Sequence, residues 1–391
     1  MSLRYLTAGE SHGPALVAIL DGLPAGLPLE GQIIDRELAR RQHGIGSGPR
    51  MKLEQDTAQI LGGVMAGLTT GAPLAVQITN RDHARWRGKS IESFTIPRPG
   101  HADLSGALKY GYRDLRPALE RASARETAAR VAIGAVCKHL LAQFDILVGG
   151  YVCAIGEVTA NLEAAPLGVR PALAETNEVR CPDTDSAVAM VEHIQNIMQR
   201  RDTLGGVIEV IAVGLPSGLG SYAQWDLRLE ARLGAAVLSI PAIKGVEIGN
   251  AFENARLPGT QAQDAIRLDG ERLVRPTHRN GGLEGGVTTG QPLILRVAMK
   301  PIATTLTPQP SVDLASGEET LTQYERSDFC PVPRAVPILE SAVAFVLAQA
   351  LLEKLGGDSL DEMRPRFEKL RRARLPDLPM DGGEHVFWPE E

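Results

Sequence analysis

The sequence predicts a mixed α/β protein, and three observations predict it. Short apolar runs with strand character alternate with stretches of helical spacing, 41 glycines and 26 prolines punctuate the joints, and no fixed period marks a repeat protein. At 391 residues the chain is long enough for one large domain or two fused ones.

Taken in order, Leu3 to Thr7 and Ala15 to Asp21 read as two short strands around a glycine-rich connection. Gln32 to Gln42 has helical spacing, with Ile33, Leu38 and Ala39 on one side, and the following Gly44 to Pro49 cannot be regular structure. Strand-like runs return at Ala58 to Val64 and Pro73 to Thr79. Asn80 to Asp103 is polar, basic and proline-containing, and loops of that length inside a compact enzyme are usually functional or mobile. Alanine-rich Ala118 to Gln143 predicts one long helix, entered through Pro117, that would carry Arg121 and Arg125 on one face. Strands are expected at Ile146 to Val158, Gly206 to Val213 and Pro292 to Met299, with helices at Ser186 to Gln199 and Trp225 to Leu238. An apolar helix from Val336 to Leu355 closes a single domain of residues 1–356, and the charged, proline-containing residues 357–391 read as a surface tail.

Composition narrows the function. With 43% hydrophobic and 23% charged residues and a formal net charge of −6, the chain reads as a soluble globular protein and not as a nucleic-acid binder. Any anionic ligand must meet locally clustered cations. The longest apolar stretch, Ala342 to Leu352, is shorter than the roughly 20 residues of a membrane helix, so no membrane partner is expected. Cys137, Cys153, Cys181 and Cys330 are widely spaced, which suits reduced thiols in the cytoplasm and no metal site.

Common signatures are absent or fail on inspection. There is no GxGxxG and no HExxH, and Gly88-Lys89-Ser90 lacks a phosphate loop's first glycine, His83 standing there instead. Gly9-Glu10-Ser11-His12-Gly13 matches the nucleophile elbow of serine hydrolases, but one short strand before it leaves no room for that fold's oxyanion loop. The same glycines let the backbone approach a ligand and present Ser11 and His12, although a histidine there can equally cap a turn. His101, in Arg98-Pro99-Gly100-His101-Ala102-Asp103, sits in another glycine-relieved loop where Asp103 could orient its ring or cap the next helix. Arg121, Arg125, Lys300, Arg326 and Arg334 are cations set in loops or helix faces that suit phosphate or carboxylate capture, each of them readable also as a solvated charge. The stretch Asn280 to Gly290 can offer backbone N–H groups to an anion or bare backbone to a flat ring.

Together GESHG, RPGHAD, RASARETAARVAIGAV, IPAIKGVEIG, the Gly281 to Gly290 loop, KPIATT and RSDFCPVPRAVPILE, in that order over residues 1 to 355, resemble the chorismate synthase family. The resemblance implies a layered β-α-β sandwich with internal pseudo-symmetry, assembled as a homotetramer. It implies an anti 1,4-elimination of phosphate from 5-enolpyruvylshikimate 3-phosphate, dependent on reduced FMN without net redox change. His12 would protonate the departing phosphate, His101 would stabilise the reduced flavin, and Asp328 would act as base, relayed through Ser11. Flavin contacts are implied for Arg121, Ala122, Ser123, Pro241, Ala242, Gly285, Lys300, Pro301, Ile302, Ala303, Thr304 and Arg326. Substrate contacts are implied for Arg41, Arg50, Arg125 and Arg334, and for Ser47, which stands where many relatives carry an arginine linked to substrate or NADPH. That replacement argues against a direct NADPH site, and reduced flavin is expected from a separate reductase.

Overall fold

The computed structural model describes residues 3–46, 55–323 and 328–388. The first half opens with strands β1 (Arg4–Ala8) and β2 (Ala15–Asp21), helix α1 (Gly31–Gln42), then β3 (Ala58–Gly62) and β4 (Leu74–Thr79). Helices α2 (Asp103–Tyr110), α3 (Arg116–Arg121) and α4 (Thr127–Ala142) complete it. The second half runs β5 (Leu147–Ile155), β6 (Val158–Thr159), α5 (Thr184–Gln199), β7 (Gly206–Val213), α6 (Leu229–Leu238) and β8 (Ile243–Ile248). Hairpins β9 (Arg267–Asp269) with β10 (Arg272–Val274) and β11 (Leu283–Glu284) with β12 (Val287–Thr288) precede β13 (Leu293–Met299). Helices α7 (Val332–Leu355) and α8 (Leu360–Glu368) follow.

Two antiparallel sheets result, in the orders β1-β2-β4-β3 and β8-β13-β7-β5-β6. Three strands bury alternate residues, Leu16, Ala18 and Leu20 on β2, Leu74, Val76 and Ile78 on β4, Leu293, Leu295 and Val297 on β13, while β5 and β7 bury continuous runs. Those faces pack on helices: α4 lies on the first sheet, α7 on the second, and the two helices pack against each other. The approach is close enough to require glycine, since a Cβ at Gly134 of α4 would stand 2.1 Å from Ser341 Cβ of α7. Buried Glu340 ties the layers together, accepting from Arg40 of α1 (2.6 Å), Lys138 of α4 (2.7 Å) and the Gly150 N–H of β5 (2.8 Å).

The structure departs from the sequence reading in three places. The helix expected from Ala118 to Gln143 is broken between α3 and α4, because Ser123 is extended (φ −64°, ψ 142°) and its hydroxyl accepts the Arg125 N–H, an alternative to the helical bond. Arg121 and Arg125 therefore do not share a helix face. The last helix begins at Val332 and runs through Pro337: that proline has no N–H for the Pro333 carbonyl, and Arg180 Nη1 donates to it instead, at 2.7 Å. At 24 residues α7 is long and apolar enough to cross a membrane, but 78% of its most apolar window is buried inside the protein, as in a core helix. Within residues 357–391, α8 buries Leu360 and Met363 against the core.

Candidate active site

A cavity of about 320 Å³ opens where the β1–β2 connection, the 80–103 loop, the α3–α4 break, the start of β8, the end of β13 and the start of α7 meet. The break at Ser123 matters here, because it turns Ala122, Ser123 and Ala124 toward the cavity where an unbroken helix would have covered them.

His12 is held at one side. Its Nδ1 lies 2.7 Å from Glu120 Oε1, and Glu120 Oε2 accepts the His12 backbone N–H at 2.7 Å. A carboxylate only accepts, so Nδ1 carries the proton and proton exchange with a ligand falls to Nε2. Burial pushes the Glu120 carboxyl up, but its hydrogen bonds from His12 outweigh this and hold it below the usual range. Trp86, from the long polar loop, backs the imidazole with ring centroids 4.4 Å apart. Ser11 Oγ accepts from Ser123 Oγ at 3.1 Å.

His101 is held at the other side by a different device. Its Nδ1 is 2.6 Å from Oδ1 of fully buried Asp103, and Arg98 donates to the same carboxylate through Nε (2.8 Å) and Nη2 (3.0 Å). Arg98 Nη2 also comes within 3.0 Å of His101 Nδ1, but two donors cannot satisfy each other, so the ring proton belongs to Asp103. Burial pushes Asp103 up, yet the His101 and Arg98 hydrogen bonds hold it far below the usual carboxylate range. Lys300 Nζ caps the loop by donating to Gly100 O at 2.8 Å, and a Cβ at Gly100 would stand 3.0 Å from that nitrogen.

The third side is cationic. Arg125 is pinned by Asp56 (2.6 and 2.7 Å) and Asn80 (2.8 Å), and Arg41 by Thr127 (3.0 Å) and the Ala124 carbonyl (2.8 Å). Arg334 pairs with Asp328, while its buried Nε has no hydrogen-bond partner among the described residues. Burial, followed by the nearby guanidiniums of Arg41 and Arg180, disfavours its charge. A desolvated guanidinium with an unmet donor beside two further arginines is a setting for a bound anion.

Between these sides run Leu119, Ile240, Met299, Ile302 and Ala303, an apolar floor suited to a flat ring, with Pro241, Ala242 and Thr304 at its edges. All four catalytic candidates, Ser11, His12, His101 and Asp328, line the cavity. So do Ala122, Ser123, Lys300, Arg41, Arg125 and Arg334, whereas Pro301 lies between two lining residues without lining it. Arg121 does not line it; its guanidinium donates to the carbonyls of Thr7 (3.0 Å) and Gly9 (3.2 Å) and so shapes the β1–β2 connection. Gly285 sits in the β11–β12 turn at φ +60°, away from the cavity lining. Ser47, Arg50 and Arg326 lie outside the described residues. The sequence reading missed Glu120 and Trp86. A tryptophan in a polar loop of a chain with only three was an available signal; nothing local marked the glutamate.

Comparison with known proteins shows the family. The family model described as chorismate synthase matches residues 3–352. A chorismate synthase of Trichlorobacter lovleyi is 52% identical over 93% of this chain and 97% of its own length, and one of Desulforudis audaxviator is 50% identical over 95% and 99%. A solved structure titled "Crystal Structure of Chorismate Synthase" superposes with a TM-score of 0.77 at 43% identity, covering 94% of this chain and 97% of that one. The chain belongs to the chorismate synthase family, phosphate-eliminating lyases of the shikimate pathway.

Proposed function

We propose that this cavity eliminates phosphate from 5-enolpyruvylshikimate 3-phosphate, in an anti 1,4 sense, with reduced FMN bound beside the substrate. The observation that carries the reading is that His12 and His101 reach one cavity, each with its Nδ1 held by a carboxylate. The donor set fits both ligands: an apolar floor for a ring, with Lys300 and Arg98 beside it, and Arg41, Arg125 and Arg334 for phosphate and carboxylates.

Reduced FMN, when bound, would supply electron density to the departing phosphate and take none away in net. Ala122, Ser123, Pro241, Ala242 and the run Lys300 to Thr304 would hold it. His12 delivers a proton from Nε2 to the leaving phosphate as its C3–O bond breaks, and Glu120 keeps that nitrogen aimed. His101, held by Asp103 through Nδ1, stabilises the reduced ring by donating a proton to it. Asp328 is the base, accepting the proton derived from C6 with Ser11 as its relay. The arginines neutralise the substrate in a desolvated site, where such contacts count most.

The two sheets support the finer fold reading. Strand order β1-β2-β4-β3 recurs as β5-β7-β13-β8, with α1 and α6 after the second strand and α4 and α7 after the fourth, as expected of a pseudo-symmetric β-α-β sandwich in one domain of residues 1–356. Four free, buried cysteines suit the cytoplasm. Exposed Leu6 and Ile19, directly opposite on the outer face of the first sheet, support self-association as a homotetramer, with reduced flavin arriving from a separate reductase.

An anaerobic assay with dithionite-reduced FMN and the phosphorylated substrate tests the proposal through chorismate absorbance. Product must form with reduced and not with oxidised FMN; no product under reducing conditions overturns it. A Ser11→Ala variant separates this reading from the nucleophile-elbow one, since it should only weaken phosphate elimination where it would abolish a hydrolase.

A further inference from the structure

A second cleft, of about 660 Å³, lies elsewhere on the molecule and shares no lining residue with the first. One wall is the β9–β10 hairpin, to which the chain after α8 is bridged: the Leu273 N–H donates to Ala373 O (2.8 Å) and the Leu375 N–H to Glu271 O (2.9 Å). The opposite wall pairs Pro216-Ser217 after β7 with Thr289-Gly290 before β13. That wall is built rather than loose, since Gly290 has φ +87° and a Cβ there would stand 2.7 Å from Ser217 Oγ. This is where the end of the glycine-rich stretch goes, a motif that the first cavity leaves unused.

Four guanidiniums line the cleft, those of Arg272, Arg275, Arg372 and Arg374, against one carboxylate, Glu368, in a chain whose net charge is −6. Two are already matched: Arg275 by Glu284 (2.7 Å twice) and Arg374 by Asp377 (3.0 and 3.1 Å). Two are not. Arg272 and Arg372 have no side-chain hydrogen bond or ion pair among the described residues; Arg372 lies over the Phe367 ring, 5.3 Å from its centroid, and Asp377 feels its charge without pairing with it. Leu215, Leu273, Val274 and Leu370 supply apolar surface between them.

We propose that this cleft binds a small organic anion of the nucleoside-phosphate class. Two unmatched guanidinium forks facing one space suit a group with two adjacent negative charges, as a diphosphate has. The volume is far more than an inorganic ion needs and lies in the range of pockets that hold drug-sized ligands, while the apolar side chains can bury a base. The proposal does not rest on the reading of the first cavity.

Calorimetric titration of the full chain with ADP, and separately with pyrophosphate as the headgroup alone, tests it. The expected result is one saturable site per chain for both probes, tighter for ADP, weakened about tenfold or more for each of Arg272→Gln and Arg372→Gln, with phosphate elimination unchanged in both variants. Lys300→Ala should leave the binding intact, which separates this site from the active cavity. Should Arg372→Gln unfold the segment after α8, as its melting curve would reveal, Arg272→Gln alone decides the matter. No saturable binding of either probe, binding indifferent to Arg272→Gln, or binding lost in Lys300→Ala overturns the proposal.

Discussion

The two histidine stations perform the same local task by different means, and the difference predicts what each tolerates. At His12, one carboxylate from α3 holds both the ring and the backbone of the same residue, with the Arg116 charge acting on it as well. At His101, the carboxylate is fully buried and shared: Asp103 accepts from the ring, from the Arg98 guanidinium twice and from the Arg98 N–H (3.0 Å). Arg98 in turn donates to Thr304 at 3.1 Å, so this station also fastens the loop to the segment after β13. Glu120 positions one side chain; Asp103 positions one side chain and organises the cavity wall.

That contrast fixes the order of expected effects. Asp103→Asn should be the most damaging change, because it leaves the Arg98 charge, 7% exposed, without its counter-ion. Removing one member of a buried pair costs about 3–5 kcal/mol, and denaturant unfolding measures it; a loss under 1 kcal/mol would mean that the Arg98 pair is not structural. His101→Ala leaves the Asp103–Arg98 pair standing, so it should fold normally and lose turnover instead. His12→Ala should do the same, with kcat falling by about 10²–10⁴ while flavin binding persists; loss of flavin binding with His12→Ala would show that the two stations are not divided between two ligands. Glu120→Gln should be milder, since an amide oxygen can still accept the Nδ1 proton but carries no charge to support an imidazolium. Its kcat should fall by about 10-fold to 100-fold with little change in KM, and Glu120→Asp should not rescue it if the reach of the side chain matters.

How much of this was legible in the sequence follows the same division. The strands Ala15–Asp21 and Gly206–Val213 were readable to the residue, the first because a half-buried strand writes its period into the chain, the second as a short apolar run bounded by glycines. The histidines stood out because glycines flank them and Asp103 is two residues from His101. Glu120 was not readable: it meets His12 across 108 positions, through a contact that exists only once α3 packs beside the β1–β2 connection. The break at Ser123 was hidden for the opposite reason. Alanine and arginine on both sides favour helix, and one serine hydroxyl competing for the Arg125 N–H decided otherwise. Gly285 shows the converse limit, a motif residue whose place in the chain gives no hint that one folded chain keeps it away from the cavity.

The smallest effects are those of pH on stability, and they sharpen the comparison most directly. Both carboxyls are held below their unfolded values, so each contributes stability that is complete above its unfolded pKa and is lost as pH falls through the folded one. From the ordinary values of 3.8 for Asp103 and 4.5 for Glu120, neither contribution should change between neutral pH and about pH 5. Below that, the stability gap between wild type and Glu120→Gln should begin to close first, since Glu120 starts higher and is depressed less. The gap for Asp103→Asn should persist to lower pH, because the hydrogen bonds from His101 and Arg98 outweigh burial and push its protonation further down. Thermal melts at pH 7, 5, 4 and 3 separate the two. If the Asp103→Asn gap closed before the Glu120→Gln gap, the sharing of Asp103 between His101 and Arg98 could not be what holds that wall together.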